Sequence, residues 1–437
     1  MTKVRLGGLL LLLLSSGFFI FLGSSLERTV PGGMADFKGV YYGTRCLLHG
    51  CDPYRQSELL RFYQAEGGDR PSDAILQRQG VTLYVNLPST FIVLAPFALL
   101  PWGAAHVLWM TLMAASLTLA AFLMWNIEAS RAPGISLFLI CFLLANCEIV
   151  LAGGNAAGIV VSLCVVAVWC FLRERLVLAG VLCMAVSLAI KPHDAGLVWL
   201  YFLLAGGVYR KRALQTLVVI VVLGLPGILW VSHVAPHWMQ EMHSNLMTIS
   251  AHGGLNDPGA ARVDERDPNT VIDLQTVISV FWDDPRIYNP ATYAVCGPLL
   301  LMWMLVTLRA RVSTARTWLA LAAITSLSML LTYHRPYDAK LLLLTVPACA
   351  ILWAEGGPIG WLALLVNTAG IVLTGDIPLI ILRILADNLH IPTAGLSGQI
   401  LKVTLTRPVP LVLLAMGIFY LWVYVRRADP DAERGVA

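Results

Sequence analysis

Charged side chains are scarce in this 437-residue chain: Asp, Glu, Lys and Arg make up 13% of it, against about a quarter in a soluble domain. Hydrophobic residues reach 58% and the mean hydropathy is +0.74, so there is no room for a large soluble domain. The chain also lacks a strong basic excess. Its net charge of +4 comes from 30 Lys and Arg against 26 Asp and Glu, which excludes nucleic acid as the expected partner. No Cys-x-x-Cys pair occurs among the nine cysteines, which removes the usual thiolate metal set. Only Cys46 and Cys51 share a polar segment, and the sequence leaves open whether they are bridged. No internal repeat is visible, which speaks against a transporter built from two matching halves. The first apolar run, Leu6 to Leu22, follows Lys3 and Arg5 but lacks an Ala-x-Ala-like exit, so it reads as an uncleaved first span and not as a signal peptide.

What the chain has instead is a succession of apolar runs of roughly 17–25 residues, each long enough to cross a bilayer. The expected fold is all-α, a polytopic integral membrane helical bundle of about 12 transmembrane helices plus interfacial or re-entrant helices, forming one domain over residues 1–437. A first outer loop is expected over 24–101, a long one over 235–290, and a tail over 426–437. Within the first loop, one short helix is expected around Asp36–Leu48 and a second opening at Asp52-Pro53, because Asp before Pro is a helix-start signal. Leu87-Pro88 to Leu100-Pro101 is apolar, bounded by Pro and too short to span, which suits a re-entrant or interfacial helix.

The positions of the cations give the chain an orientation. Lys3/Arg5, Arg131, Arg173/Arg175, Arg210/Lys211/Arg212, Arg309/Arg311/Arg316 and Arg426/Arg427 fall on one side when about twelve spans are counted, and clustered Lys and Arg in short loops stay cytoplasmic. Both termini are then cytoplasmic in a plasma (inner) membrane. The segments around Asp36, Gly154-Asn155, Lys191–His193, 235–290 and Tyr333–Asp338 face outward. Polar and aromatic residues gathered at one interface suit an enzyme whose substrate is partly lipid.

Asp36-Phe37 with Tyr41-Tyr42, Leu48-His49-Gly50-Cys51-Asp52-Pro53-Tyr54, Tyr84-Val85-Asn86-Leu87-Pro88, Leu94-Ala95-Pro96, Leu100-Pro101, Gly154-Asn155, Ala179-Gly180 and Ala189-Ile190-Lys191-Pro192 together resemble glycosyltransferase family 87. The resemblance is firmest from Asp36 to Pro192 and loose after about Pro236; Tyr333-His334-Arg335-Pro336-Tyr337-Asp338 matches only in part. It implies a C-type glycosyltransferase fold and an inverting hexosyltransferase that uses a polyprenyl-phosphate-linked sugar donor, mannose in characterised relatives. The acceptor would be a lipid or glycan of the cell envelope, and a carboxylate in the first outer loop would be the base. No cofactor is implied, and the partners are the donor, the acceptor and membrane lipids. The alternative function is a lipid or polysaccharide transporter, or a ligase, without such transfer.

The chemistry explains which residue types are wanted. An acceptor hydroxyl is a weak nucleophile, and a carboxylate that takes its proton contributes about 10²–10⁴-fold. A lipid phosphate leaves without needing a proton, so cations are wanted there in place of the second carboxyl of a glycosidase. Asp36, a few residues past the first span, is the candidate base; its structural alternative is a helix cap. Lys191, His193, His334 and Arg335 are candidates for the donor phosphate, against snorkelling for Lys191 and ordinary surface turns for the others. Tyr42, Asp52 and Asn155 are candidate substrate contacts, against an interface anchor, a helix opening and a turn closure respectively. The acidic run Asp264–Asp267 does not have the spacing of a calcium loop and reads as a solvated loop. No obligatory metal is expected. Trp282 and Asp283-Asp284 have no assigned role.

Overall fold

A computed structural model describes residues 3–29, 33–68, 81, 83–128, 131–259, 271–388 and 395–428. The acidic run Asp264–Asp267 lies outside the described residues. Helix accounts for 82% of the structure and no strand occurs among the described residues, so the all-α expectation holds.

The first third consists of α1 (Lys3–Thr29), α2 (Ala35–Leu48), α3 (Gln56–Ala65), α4 (Pro88–Ala98), α5 (Trp102–Glu128), α6 (Pro133–Ala145) and α7 (Glu148–Gly153). The middle follows with α8 (Ala157–Arg173), α9 (Val177–Ile190), α10 (Pro192–Ala205), α11 (Gly207–Val234), α12 (Trp238–Ser250) and α13 (Leu274–Ile278). The last third contains α14 (Pro285–Arg309), α15 (Thr314–Leu331), a 3-10 segment (Asp338–Thr345), α16 (Val346–Glu355), α17 (Gly357–Leu373), α18 (Asp376–Asn388), α19 (Gly395–Thr406) and α20 (Pro408–Ala428).

Among the described residues, seven helices are long and apolar enough to cross a membrane: α1, α5, the α6–α7 stretch, α11, α14, α15 and α20. An eighth arises if α17 and α18, bent by 76° at their junction, count as one. Three shorter apolar helices, α4, α8 and α9, have 10–17 residues and fall below the length of about 20 residues that a straight crossing takes. Long apolar faces of α1 and α11 lie open, with Leu14, Phe21, Val222 and Leu229 exposed, as lipid-facing helices require. By contrast α15 is enclosed, since every residue from Thr317 to Leu330 is buried. It packs along α20.

One expectation is corrected. The second short helix opens at Gln56, not at Asp52; Asp52–Arg55 forms a turn ahead of it, in which Asp52 Oδ1 accepts from the Tyr54 amide at 2.9 Å. Local side-chain bonding of this kind competes with the helix and delays its start. The stretch Pro133–Gly153 is one candidate span, with its helix interrupted at Asn146-Cys147. The carbonyl freed there is not left bare, because the Lys340 ammonium donates to Asn146 O at 2.6 Å, as non-helical backbone at membrane depth demands. Cys46 and Cys51, at the end of α2, are bridged, with their Cα atoms 5.0 Å apart.

Candidate active site

Asp36 stands in the first turn of α2, where the exposed amides favour a negative side chain. The residue in the cap position is Met34, in the left-handed region with φ 59° and without a side-chain cap bond. The Asp36 carboxylate is thus not spent on its own helix. Its Oδ2 accepts from Asn155 Nδ2 at 2.7 Å.

The turn that presents Asn155 is built to meet α2. Gly154 has φ 63°, and a Cβ there would stand 2.8 Å from Met34 Sδ and 2.9 Å from Phe37 Cβ; both its conformation and its contact call for glycine. The Met34 amide donates to Ala152 O at 2.8 Å and the Trp109 indole donates to Gly154 O at 2.9 Å. Phe37 stacks on Trp109 with ring centroids 4.6 Å apart, a contact worth about 0.5–1.5 kcal/mol beyond its buried area. Asn155 is itself anchored, since its Oδ1 accepts from the amide of Ala157, the first residue of α8, at 2.8 Å. One side chain therefore ties the start of a helix to Asp36.

The turn between α9 and α10 and the stretch after α15 complete the region. Lys191 Nζ donates to Asp338 Oδ1 at 2.7 Å, lies 3.5 Å from Asp194 Oδ2 and sits 5.1 Å from the centre of the Tyr337 ring. The other oxygen of Asp338 accepts from the Arg335 amide at 2.7 Å, which holds the turn in shape. His193 Nε2 and His334 Nε2 approach Asp194 Oδ1 at 3.4 Å and 3.6 Å, and the two imidazoles are 5.2 Å apart, edge to face. The Arg335 guanidinium donates to Tyr333 Oη at 2.6 Å, Leu255 O at 3.0 Å and Asn256 Oδ1 at 3.3 Å, so it also ties the 253–257 turn to the site.

These charges act on one another. Burial pushes the Asp36 carboxyl above its ordinary value; the bond from Asn155 and the positive charges of Arg335 and Lys191 pull the other way, and the Asp338 charge adds to the rise. Burial works against the Lys191 ammonium, but the Asp194 and Asp338 carboxylates outweigh it and hold the group above the usual lysine value. The arrangement pairs a proton-accepting carboxylate, only partly buried, with a cationic set in Coulombic reach of it.

Asp36, Asn155, Lys191, His193, His334 and Arg335 thus come together, although they are spread over most of the chain. Tyr42 and Asp52 do not join them. Tyr42 is packed between Tyr41, Tyr63 and Trp102, nearly two turns further along α2. Asp52 lies beyond the far end of α2, about 18 Å of helix from Asp36, is buried, and closes the turn before α3. Two carboxylates that motif reasoning passed over, Asp194 and Asp338, organise the cations. Both stand on turns whose neighbours were singled out, but only the fold shows that the turns touch.

No curated protein and no solved structure matches the chain. The model of glycosyltransferase family 87 matches residues 84–333. That segment contains Asn155, Lys191, His193 and Asp194 and leaves out Asp36 and His334, so the match does not bear on those two. The matched segment is 250 of 437 residues, more than half, and the chain belongs to glycosyltransferase family 87.

Proposed function

We propose that this membrane glycosyltransferase moves a hexose, mannose in the first instance, from a polyprenyl-phosphate donor to a lipid or glycan acceptor at the outer face of the plasma membrane. The observation that carries this reading is the carboxylate of Asp36, fixed by Asn155 and facing the charge of Lys191 and Arg335.

In this reading Asp36 accepts the proton of the acceptor hydroxyl as its oxygen attacks the anomeric carbon from the side opposite the phosphate. A single displacement inverts that carbon. The bond to the phosphate breaks with both electrons leaving on oxygen, and the cationic set around Lys191 receives the charge. His193 and His334 stand beside Lys191 through their shared neighbour Asp194. Arg335 braces the turn that carries Asp338. Asn155 is a positioning residue, not a sugar contact. In this reading Tyr42 packs and Asp52 closes a turn, and neither contacts the substrate.

The outer location is supported by the cation pattern and by the Cys46–Cys51 bridge, which suits an oxidising compartment. On this reading α8, α9, α10, the 3-10–α16 stretch and α17 also cross beside the seven long helices, in a C-type glycosyltransferase arrangement of about twelve crossings. The test is transfer by the purified chain in proteoliposomes from polyprenyl-phosphate mannose. Asp36→Asn keeps the shape and a bond with Asn155 but cannot accept the proton, so transfer should be lost while the melting temperature holds. Transfer at the parent rate would overturn the assignment.

A further inference from the structure

Three buried atoms beside Lys191 make no hydrogen bond: Asp194 Oδ1, Asp194 Oδ2, which has only the Lys191 ammonium at 3.5 Å, and Nε2 of His334. Asp194 is 2% exposed and His334 1%. Buried polar atoms are almost always paired, and each exception needs an explanation. The tautomer of His334 sharpens the matter. Its Nδ1 is 2.9 Å from Thr332 O, and since a carbonyl only accepts, Nδ1 carries the proton and donates it. Nε2, on the other side of the ring, lies 3.6 Å from Asp194 Oδ1, too far for a hydrogen bond but a distance that a cation held between the two would span.

Two of the three edges of the cluster have the length that a bound metal ion would set. Zinc bonds of about 2.0–2.2 Å to nitrogen and oxygen place two tetrahedral ligands about 3.3–3.6 Å apart. His193 Nε2 and His334 Nε2 lie 3.4 Å and 3.6 Å from Asp194 Oδ1, and a nitrogen from each ring joins a carboxylate oxygen with all three within 4.8 Å of one another. An octahedral magnesium site, with bonds of about 2.0–2.1 Å, would need edges nearer 3.0 Å, and two imidazoles favour zinc over magnesium in any case. The backbone bond on the far nitrogen of His334 is the outer-shell support that metal-ligating histidines have as a rule.

We propose that His193, Asp194 and His334 form a three-ligand zinc site with the fourth position open. His193, exposed on one side, marks the open direction. Lys191 does not compete for the metal, because it engages Asp338 and the other oxygen of Asp194. With zinc bound, the divalent ion and Lys191 face two carboxylates, and the remaining positive charge makes the open position an acceptor for an anion. On the function proposed above, and resting on it, that anion is the phosphate of the donor. No spacing motif announces this site, since His334 comes from a turn far along the chain from His193-Asp194.

The test is zinc content of the full chain, purified without a polyhistidine tag, soaked with zinc sulfate and desalted. The parent should retain about one zinc per chain. Asp194→Asn and His193→Ala should weaken retention by about 100-fold or more, above the 10–100-fold that outer-shell partners command. His193 is exposed, so its variant folds whatever the fate of the buried one. Cobalt in place of zinc should give the intense visible bands of four-coordinate cobalt. A parent that retains no zinc, variants that retain as much as the parent, or a pale octahedral cobalt spectrum would each overturn the site. A zinc-free chain that still transfers sugar defeats the metal site and leaves the proposed function standing; a chain that binds zinc and transfers nothing does the reverse.

Discussion

Two lysines of this protein sit among carboxylates, Lys340 buried and Lys191 partly so, and their surroundings differ in an instructive way. Each faces two carboxylates: Lys191 has Asp338 and Asp194, and Lys340 has Asp376 with Glu148 in Coulombic reach. Lys340 spends all three of its protons inside the bundle, on Asn146 O at 2.6 Å, Thr374 O at 3.0 Å and Asp376 Oδ1 at 3.3 Å. Asp376 in turn accepts from the Ile149 amide at 2.8 Å, so the centre closes the break between α6 and α7. Around Lys191 the second carboxylate looks instead at two imidazoles, one of them exposed, and the base candidate Asp36 stands in reach. One centre is a lock on irregular backbone; the other has reactive side chains and an open edge. An ammonium among carboxylates by itself distinguishes neither role, but the partners of its partners do.

The largest effect that would break this contrast is catalytic. Asp36→Asn should lower transfer by up to about 10⁴-fold with an unchanged melting temperature, whereas Lys340→Met should leave the rate per folded molecule in place. The cost of Lys340→Met falls on stability, by about 3–5 kcal/mol, because it strands Asp376 in the interior; thermal unfolding in detergent measures it. A Lys340→Met protein that folds normally but has lost transfer would merge the two centres into one.

The pH dependence gives a subtler reading. Since burial raises the Asp36 carboxyl above the ordinary 3.8, transfer that needs its charged form should fall away on the acid side with a midpoint above that value. The Asn155 bond lowers that carboxyl, so Asn155→Ala should move the midpoint further up and slow transfer at neutral pH, by about 10-fold if a bond to a charged group of roughly 1.5 kcal/mol is lost. A pH–rate profile of the variant that superimposes on that of the parent would remove Asn155 from the positioning role. The smallest effect belongs to Asp52→Ala, about 1 kcal/mol of stability from the lost turn bond and no change in transfer. A fall in transfer beyond 10-fold would return Asp52 to the substrate.

Much of the architecture could be read before any coordinates. Apolar runs separated by short polar turns force helices in a bilayer, because backbone groups there have no water to turn to, and α2 and α4 fall close to where the pattern puts them. The break at Asn146 was hidden, because nothing local marks it; the compensating lysine arrives from nearly two hundred residues away. Asp52-Pro53 misled for the opposite reason. Its local signal is real, but the Asx turn it makes precedes the helix and does not begin it.

The site divides along the same line. By itself the sequence determined a membrane-embedded helical chain, the polar turns on which chemistry could sit, and the suspicion attached to Asp36 and Lys191, since composition and charge pattern act locally and leave a local trace. Only the tertiary structure decided that Asn155 holds Asp36, that Asp338 and Asp194 hold Lys191, and that two histidines from distant turns converge on one carboxylate. Those facts depend on which turns meet at the end of the bundle. That is fixed by the packing of α2 on the Gly154 turn and of α15 in the core, through contacts between residues that the chain itself keeps far apart.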